Sequence, residues 1–258
     1  MRLMKRILSA AAVLALSASL LVGCSSGTAS SVPVSASSAA ESTVSSVEET
    51  ASSAVDENEA AAAQLLNDLT GSYQELWPVI LVDEYKQTWL DDCTALVGED
   101  NAEAAFEKLS SMVTGDVYGE DAVKAYANGG GAYFCGFTNS LAILTFDGET
   151  STISGTDKDG NVLFSHTYHY IGMEPVRGLY EFQSEDADSG EFTYFFLAPD
   201  TSAETYHIEF RYGSDAEALS QYDTGEYAYW VASGISTDCD QTMIDNCIEL
   251  FCTENLAG

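Results

Sequence analysis

The chain changes its hydrophobic period once, near residue 130. Up to that point, apolar residues recur at spacings of three or four, as they do along one face of a helix. The predicted helices cover residues 56–68, 82–96 and 99–113. The run "NGGG" at 128–131 then ends the helical pattern, because glycine disfavours helix interiors.

From there on, the period is two, which is typical of strands with one buried face. Turn signals such as Asp159-Gly160 separate the segments. Short consecutive strands of this kind predict an antiparallel meander that closes, or nearly closes, into a small barrel. A short helix at 214–222 and a C-terminal helix at 240–252 follow, so the predicted class is mainly β with flanking helices (α+β). The predicted strands are AYFCGF (132–137), LAILTFD (141–147), STISGT (151–156), NVLFSHTYHY (161–170), GLYEFQ (178–183), EFTYFFLA (191–198) and TYHIEFRYG (205–213).

The N-terminus has the pattern of a targeting signal. Arg2, Lys5 and Arg6 precede an apolar run that ends in "LVGC". This ending resembles a bacterial lipobox, in which Cys24 would carry lipid and become the mature N-terminus. The sequence therefore predicts a lipoprotein signal peptide over 1–23 and an exported protein anchored to the outer face of the cell membrane.

Two further regions follow the predicted signal peptide. Residues 24–58 are rich in Ser, Ala, Thr and Glu and contain no aromatic residue, so they predict a flexible tether. Residues 59–258 are rich in aromatic and aliphatic residues, and their length suits a single folded domain.

The charge balance is strongly acidic, with 41 acidic and nine basic residues and a formal net charge of −32. Removal of residues 1–23 leaves six basic residues against 41 acidic ones, a formal charge of −35. Such a surface repels nucleic acid and anionic lipid and attracts cations. We therefore expect no nucleic-acid partner, and membrane attachment through the lipid on Cys24 rather than through a basic patch.

The remaining cysteines give no zinc-ribbon or redox motif, since no CxxC spacing occurs. Their number is odd, so at least one thiol is free or pairs outside the chain, and the pairing stays open. No GxSxG, phosphate-binding loop or GxGxxG motif is present either, and we expect no enzyme. The cysteines are Cys93, Cys135, Cys239, Cys247 and Cys252.

Several segments occur in an order that resembles one family. They are "LTGSYQELWPVI", "HTYHYIG", "VRGLYEF", "DADSGEFTYFFLA", "HIEFRYGSDAEAL" and "GEYAYW", over roughly residues 66–253. Their order resembles the ZinT (YodA) family, zinc-binding domains of the lipocalin-like calycin class that also occur fused to lipoproteins of ABC importers. The resemblance implies a calycin-like antiparallel β-barrel with N-terminal helices and a C-terminal helix.

The resemblance also implies a metal site. The family holds zinc with three histidines at one mouth of the barrel, two of them in a His-x-His pair. Here His207 matches the first of that pair, Glu209 stands in place of the second, and Asp200 stands in place of the third histidine. Carboxylates bind zinc but shift the preference towards Mn²⁺ or Ca²⁺. The alternative is that the site has decayed and His207 and Glu209 form an ordinary surface pair.

The other two histidines, His166 and His169, are three apart on a predicted strand, so they point to opposite faces. His166 and Tyr168 are candidate barrel-lining residues, and one of the two histidines is a weaker candidate for an extra ligand.

Three functions remain open from sequence alone. The leading hypothesis is a membrane-tethered protein that captures a divalent metal ion, zinc by resemblance, and buffers it or passes it to an ABC importer. The second is a calyx that binds a small apolar ligand. The third is an interaction module that docks a partner through exposed Tyr227, Tyr229 and Trp230.

Overall fold

The computed structural model describes residues 57–198 and 207–257. The predicted signal peptide, Cys24 and nearly all of the predicted tether lie outside these ranges, and so does Asp200. Within the two ranges, no helix combines the length and the apolar character that crossing a lipid bilayer requires.

Eight strands of the described ranges form a closed antiparallel barrel in which each strand pairs with its neighbours in the sequence. The first and last strands also pair, for example through Tyr73 and Ser236, and this pairing closes the barrel. Closure gives partners to backbone groups that an open sheet leaves unpaired at its edges. The predicted barrel with flanking helices is confirmed. The strands are β1 (Gly71–Glu75), β2 (Ile143–Asp147), β3 (Thr152–Thr156), β4 (Val162–Met173), β5 (Tyr180–Ser184), β6 (Tyr194–Leu197), β7 (His207–Gly213) and β8 (Ala232–Ser236).

Aromatic side chains fill the interior of the barrel. On β7, every second residue points inward, and Ile208, Phe210 and Tyr212 are only 0–1% exposed. The Phe195 ring of β6 lies against Phe210 and Tyr212, with ring centroids 6.4 and 5.4 Å apart, and its centroid is 5.9 Å from that of Phe164. The strand residues that face inward therefore form a packed core rather than an open calyx.

Seven helices of the described ranges surround the barrel. Asp240 begins the last of them, because its side chain accepts a hydrogen bond from the Met243 amide at 3.0 Å and so caps the helix N-terminus. Gly98 separates two others with a φ of +82°, which glycine adopts at little cost. The helices are α1 (residues 57–68), α2 (Trp77–Ile80), α3 (Lys86–Val97), α4 (Glu99–Val113), α5 (Glu120–Ala127), α6 (Ala216–Leu219) and α7 (Gln241–Leu256), with 3-10 turns at Asp83–Tyr85 and Gly190–Phe192.

A second hydrophobic cluster lies outside the barrel, where α2, α3, α4 and α7 form a helical layer. Ile235 of β8 points out of the barrel into this cluster, so the strands pack on both faces there. Trp89 is fully buried in the layer and donates its indole N–H to the Ile80 carbonyl at 2.8 Å. The sulfur atoms of Cys93 and Cys252 lie 3.9 Å apart there as free thiols.

One predicted strand is wrong. Residues 132–137 form no barrel strand, because Phe134 makes isolated bridges to Thr114 and Trp230 instead. The period-two pattern missed two barrel strands, β1 and β8. β8 has the sequence Ala-Ser-Gly-Ile-Ser, and such small residues carry almost no period-two signal. Both faces of β8 are buried, so its polar serines do not mark a solvent side.

Candidate functional site on the outer wall of the barrel

His207 and Glu209 lie on the face of β7 that points away from the barrel interior. The alternate residues of this strand fill the core, so His207, Glu209 and Arg211 project outward together. On the neighbouring strand β8, Ile235 stands opposite His207 and Ser233 opposite Glu209. The pair therefore belongs to the outer wall of the barrel and not to its interior.

A small cavity lies where β7 meets α7. His207 and Glu209 line it from the strand, and Cys247 and Glu254 line it from the helix. Its volume is about 20 Å³. That is enough for a single water-sized occupant, so it suits one ion rather than an organic ligand. The other lining residues are Leu76, Trp77, Leu250 and Phe251.

The structure brings together two of the three predicted metal ligands. Asp200 lies outside the described residues, and its part in the site stays a prediction. Among the residues that are described, no group of three or more His, Cys, Asp or Glu side chains is arranged to hold a metal ion. His207 and Glu209 therefore supply a pair of donors that fits part of a metal coordination sphere.

Cys247 contributes a neutral thiol to this cavity. Burial, followed by the negative charges of Glu209 and Glu254, raises the pKa of the Cys247 thiol to about 12. The thiolate is the form that binds metals, so a thiol that keeps its proton at neutral pH is a poor ligand. The imidazole of His207 and the carboxylates are the donors that this site offers.

A larger cavity of about 370 Å³ adjoins the small one and shares Trp77, Glu209, Phe251 and Glu254 with it. Its floor is made of buried residues and its rim of more exposed ones. The floor residues are Trp77, Val113, Cys135, Val231 and Ser233, and the rim residues are Met112, Tyr133, Arg177, Glu254 and Asn255. A further cavity of about 300 Å³ lies next to it and shares Trp77, Val113 and Cys135. The outer wall under the helical layer is therefore open to small ligands.

Charges of both signs act within the larger cavity, and both affect the pKa of its Cys135 thiol. Burial and then the negative charge of Glu209 raise the pKa of Cys135, which is about 12. The nearby Arg177 acts in the opposite direction and lowers it. Both charged side chains are therefore close enough to the same buried thiol to influence its ionisation.

Arg177 is held in place by aromatic rings. Its guanidinium carbon lies 4.2 Å from the ring centroid of Tyr222 and 5.9 Å from that of Tyr133, which are cation–π distances. Its Nη2 also donates to the Tyr133 hydroxyl at 3.4 Å. The Arg177 backbone N–H donates to the buried Glu174 carboxylate at 2.6 Å. No pattern in the sequence pointed to this arrangement, because its members are brought together by tertiary packing.

Arg211, the third outward residue of β7, has a structural role. It is fully buried and stacks on Tyr222 at 4.3 Å, and burial lowers its pKa. Its guanidinium donates to the backbone carbonyls of Leu219 and Tyr227, and to that of Gln221 at 3.3 Å. These bonds fasten the segment between β7 and β8 to the barrel. The Arg211 guanidinium is therefore occupied by backbone carbonyls of the protein itself.

His166 and Tyr168 lie on the inward face of β4, away from the β7 pair. His166 Nδ1 is 2.7 Å from the Asp186 carboxylate, and its ring stacks on Phe164 with centroids 5.9 Å apart. Tyr168 is buried and donates its hydroxyl hydrogen to the Phe192 carbonyl, and burial raises its pKa. His169 is exposed on the opposite face.

The prediction that Tyr227 and Trp230 are exposed docking residues is wrong. They are 3% and 1% exposed. Trp230 packs against Tyr212 with ring centroids 5.0 Å apart and donates its N–H to the Gly136 carbonyl at 2.9 Å. Tyr229 is half-buried and stacks on the Tyr126 ring at 3.7 Å. The packed interior likewise leaves the calyx hypothesis without the open cavity that it requires.

No family model matches the chain, and no curated protein matches it. Among solved structures, it resembles the Zn(II)-bound ZinT-like domain of Streptococcus pneumoniae AdcA, with 16% identity and a TM-score of 0.45 over 71% of this chain and 89% of that chain. It also resembles Zn(II)-bound AdcA from Streptococcus pneumoniae, with 14% identity and a TM-score of 0.43 over 72% of this chain and 35% of that chain. In both comparisons the sequence identity and the TM-score are low.

Proposed function

We propose that this protein binds a divalent metal ion outside the cytoplasm, at the junction of β7 and α7. The observation that carries the proposal is that His207 and Glu209 project together into a cavity of about 20 Å³. An imidazole and a carboxylate are both ordinary ligands of divalent metals, and the cavity has room for one ion. The proposed role is capture rather than catalysis.

His207, Glu209 and Asp200 form the proposed donor set. Glu254 lines the same cavity from α7 and offers an additional carboxylate on that side. With one nitrogen and several oxygen donors, the site accepts zinc and also harder ions such as Mn²⁺ and Ca²⁺. Zinc is the first metal to test, because it is the metal of the family that the sequence resembles.

The acidic surface supports cation capture. The chain carries 41 acidic residues against nine basic ones, and a field of this sign raises the local concentration of cations near the protein. Salt screens such a field, so capture at low metal concentration should weaken as ionic strength rises.

Calorimetric titration of the metal-free protein with Zn²⁺, Mn²⁺ and Ca²⁺ tests the metal site. We expect His207→Ala to weaken binding by more than about 100-fold, since even the outer partners of metal ligands are worth roughly 10–100-fold. His169→Ala is the matched control, because this histidine is exposed on β4, away from the site. Equal binding by the two variants would rule out the proposed site.

The contribution of Asp200 needs its own measurement. We expect Asp200→Asn to lower the affinity, while Asp159→Asn, in the turn between β3 and β4, leaves it unchanged. An unchanged affinity in Asp200→Asn would leave His207 and Glu209 as the proposed pair and remove Asp200 from the donor set.

We also propose that lipid on Cys24 holds the protein at the outer face of the membrane, where it buffers the metal or hands it to an ABC importer. Mass spectrometry of the mature N-terminus checks the anchor, and a Cys24→Ala protein should appear in the medium or soluble fraction. An unmodified N-terminal peptide would contradict the anchor but not the metal site.

A further inference from the structure

The larger outer-wall cavity combines an apolar floor with charges of both signs. Its volume of about 370 Å³ is at the small end of the range of ligand sites. Trp77, Val113 and Val231 give the floor its apolar character, and all three are buried. A ligand that fills this cavity therefore needs an apolar body of modest size.

Arg177 places a positive charge at the rim. Its guanidinium is exposed and is fixed by its stacking on Tyr222 and its contact with Tyr133. The neighbouring backbone is fixed as well, because the Arg177 N–H donates to the buried Glu174 carboxylate at 2.6 Å. An oriented guanidinium beside a cavity is a good partner for a carboxylate.

The negative side of the rim comes from the barrel wall and from α7. Glu209 reaches the cavity from β7 and Glu254 from the last turns of α7. Asn255 and Ser233 add amide and hydroxyl groups to the same lining. The lining of the cavity thus includes a cationic partner for a ligand carboxylate and anionic partners for a ligand ammonium group.

We propose that this cavity binds a small zwitterionic molecule of the class of α-amino acids with an apolar side chain. The ligand carboxylate pairs with Arg177, and its ammonium group pairs with Glu209 and Glu254. Its side chain lies on the floor formed by Trp77 and Val113. This ligand is organic and occupies the larger cavity, so the inference goes beyond the proposed metal site, with which it shares the Glu209 and Glu254 side chains.

Three probes of the same shape test the charge pattern. L-phenylalanine carries both charges, phenethylamine lacks the carboxylate, and 3-phenylpropanoate lacks the ammonium group. Calorimetric titration of the metal-free protein should show that L-phenylalanine binds more tightly than either single-charge analogue. Absence of binding by all three probes at millimolar concentration, or a tie between the zwitterion and an analogue, would overturn the proposal.

Variants at the rim assign each charge to its partner. Arg177→Gln should weaken L-phenylalanine and 3-phenylpropanoate by about tenfold to a hundredfold and leave phenethylamine unchanged, because a hydrogen bond to a charged group is lost. Glu254→Gln should weaken the two amines and leave 3-phenylpropanoate unchanged. Lys158→Gln is the control, since it removes the same charge from a hairpin turn away from the cavity. If Arg177→Gln and Lys158→Gln bind L-phenylalanine equally, Arg177 is not the carboxylate partner and the proposal fails.

The two proposals can fail separately. Arg177 belongs to the larger cavity alone, so Arg177→Gln should keep the metal affinity of the unaltered protein. His207→Ala should lose metal binding and retain L-phenylalanine, because His207 lines the small cavity and not the larger one. Thermal unfolding of each variant confirms that the fold is intact.

Discussion

The two faces of β7 show how differently the same strand can be used. Its inward residues, Ile208, Phe210 and Tyr212, are packed into an aromatic core. Its outward residues, His207 and Glu209, line cavities beneath α7. The outer wall also packs against the helical layer, through residues such as Ile235. Beside that packing it carries polar groups and cavities, which the filled interior does not.

This difference gives each face its own expected response to mutation. In the interior, each ring touches several others, so any lost volume leaves a cavity with no solvent to fill it. On the outer wall, the cavities already exist and side chains at their rims are in contact with water. We expect the interior to control stability and the outer wall to control binding.

The largest effect should come from the barrel interior. Phe195→Ala should lower the free energy of unfolding by about 3–5 kcal/mol, because Phe195 is fully buried among aromatic rings. Met112→Ala, at the rim of the larger cavity and 38% exposed, should change it by less than about 0.5 kcal/mol. Urea unfolding of the two variants measures the contrast. Similar losses in both would mean that the outer wall is as tightly packed as the interior.

An intermediate effect should come from the buried thiols of the outer wall. Cys135 and Cys247 have pKa values raised to about 12 in the folded protein. Above the ordinary thiol pKa of about 8.5, the unfolded chain loses these protons while the folded protein keeps them, so stability falls as pH rises. Each thiol should contribute about 1.4 kcal/mol of loss per pH unit above about pH 9.

Unfolding of Cys135→Ala and Cys247→Ala under reducing conditions from pH 8 to 10.5 checks this slope. Each variant should lose less stability with pH than the unaltered protein, whatever its stability at pH 8. Lysine and tyrosine titrations are common to all three proteins and cancel in the comparison. A slope that does not change in either variant would show that the thiols are not protected from ionisation.

The smallest effect should come from the helical layer. Asp240→Ala removes the cap of α7 and should cost about 1 kcal/mol. Asp245→Ala, on the same helix but inside it, should cost less because that carboxylate caps no backbone group. Thermal unfolding compares the two. If α7 also holds the metal site, Asp240→Ala should weaken metal binding slightly. An unchanged unfolding temperature in Asp240→Ala would argue against the capping role of this residue.

Much of the fold could be predicted because the signals are local. The helical pattern over 99–113 matches α4 (Glu99–Val113), and the alternation over 151–156 matches β3 (Thr152–Thr156). The exceptions include β1, which no predicted strand covers, and β8, whose small residues are buried between the barrel core and the helical layer. A strand with two buried faces has no alternation to reveal it. Residues 132–137 show the period-two alternation of a strand, but they form no strand of the barrel.

The site was predictable only in part. His207 and Glu209 were singled out because they are two apart on a strand and match a family pattern, and the structure places them side by side. The face they occupy depends on the register of β7, which a core residue such as Phe210 fixes only after folding. No sequence pattern predicted the larger cavity or the position of Arg177 at its rim. Both arise where segments distant in the sequence meet, so no single segment contains a pattern for them.

Trp77 gives the outer wall an optical reporter of its own. The chain has three tryptophans. Trp230 lies in the barrel core, and Trp77 and Trp89 lie in the helical layer, where Trp77 also lines each of the three cavities. In a protein with Trp89 and Trp230 replaced by phenylalanine, the emission of Trp77 would report occupancy of the wall directly. Binding of the metal ion and of the organic ligand could then be followed by intrinsic tryptophan fluorescence, without a label.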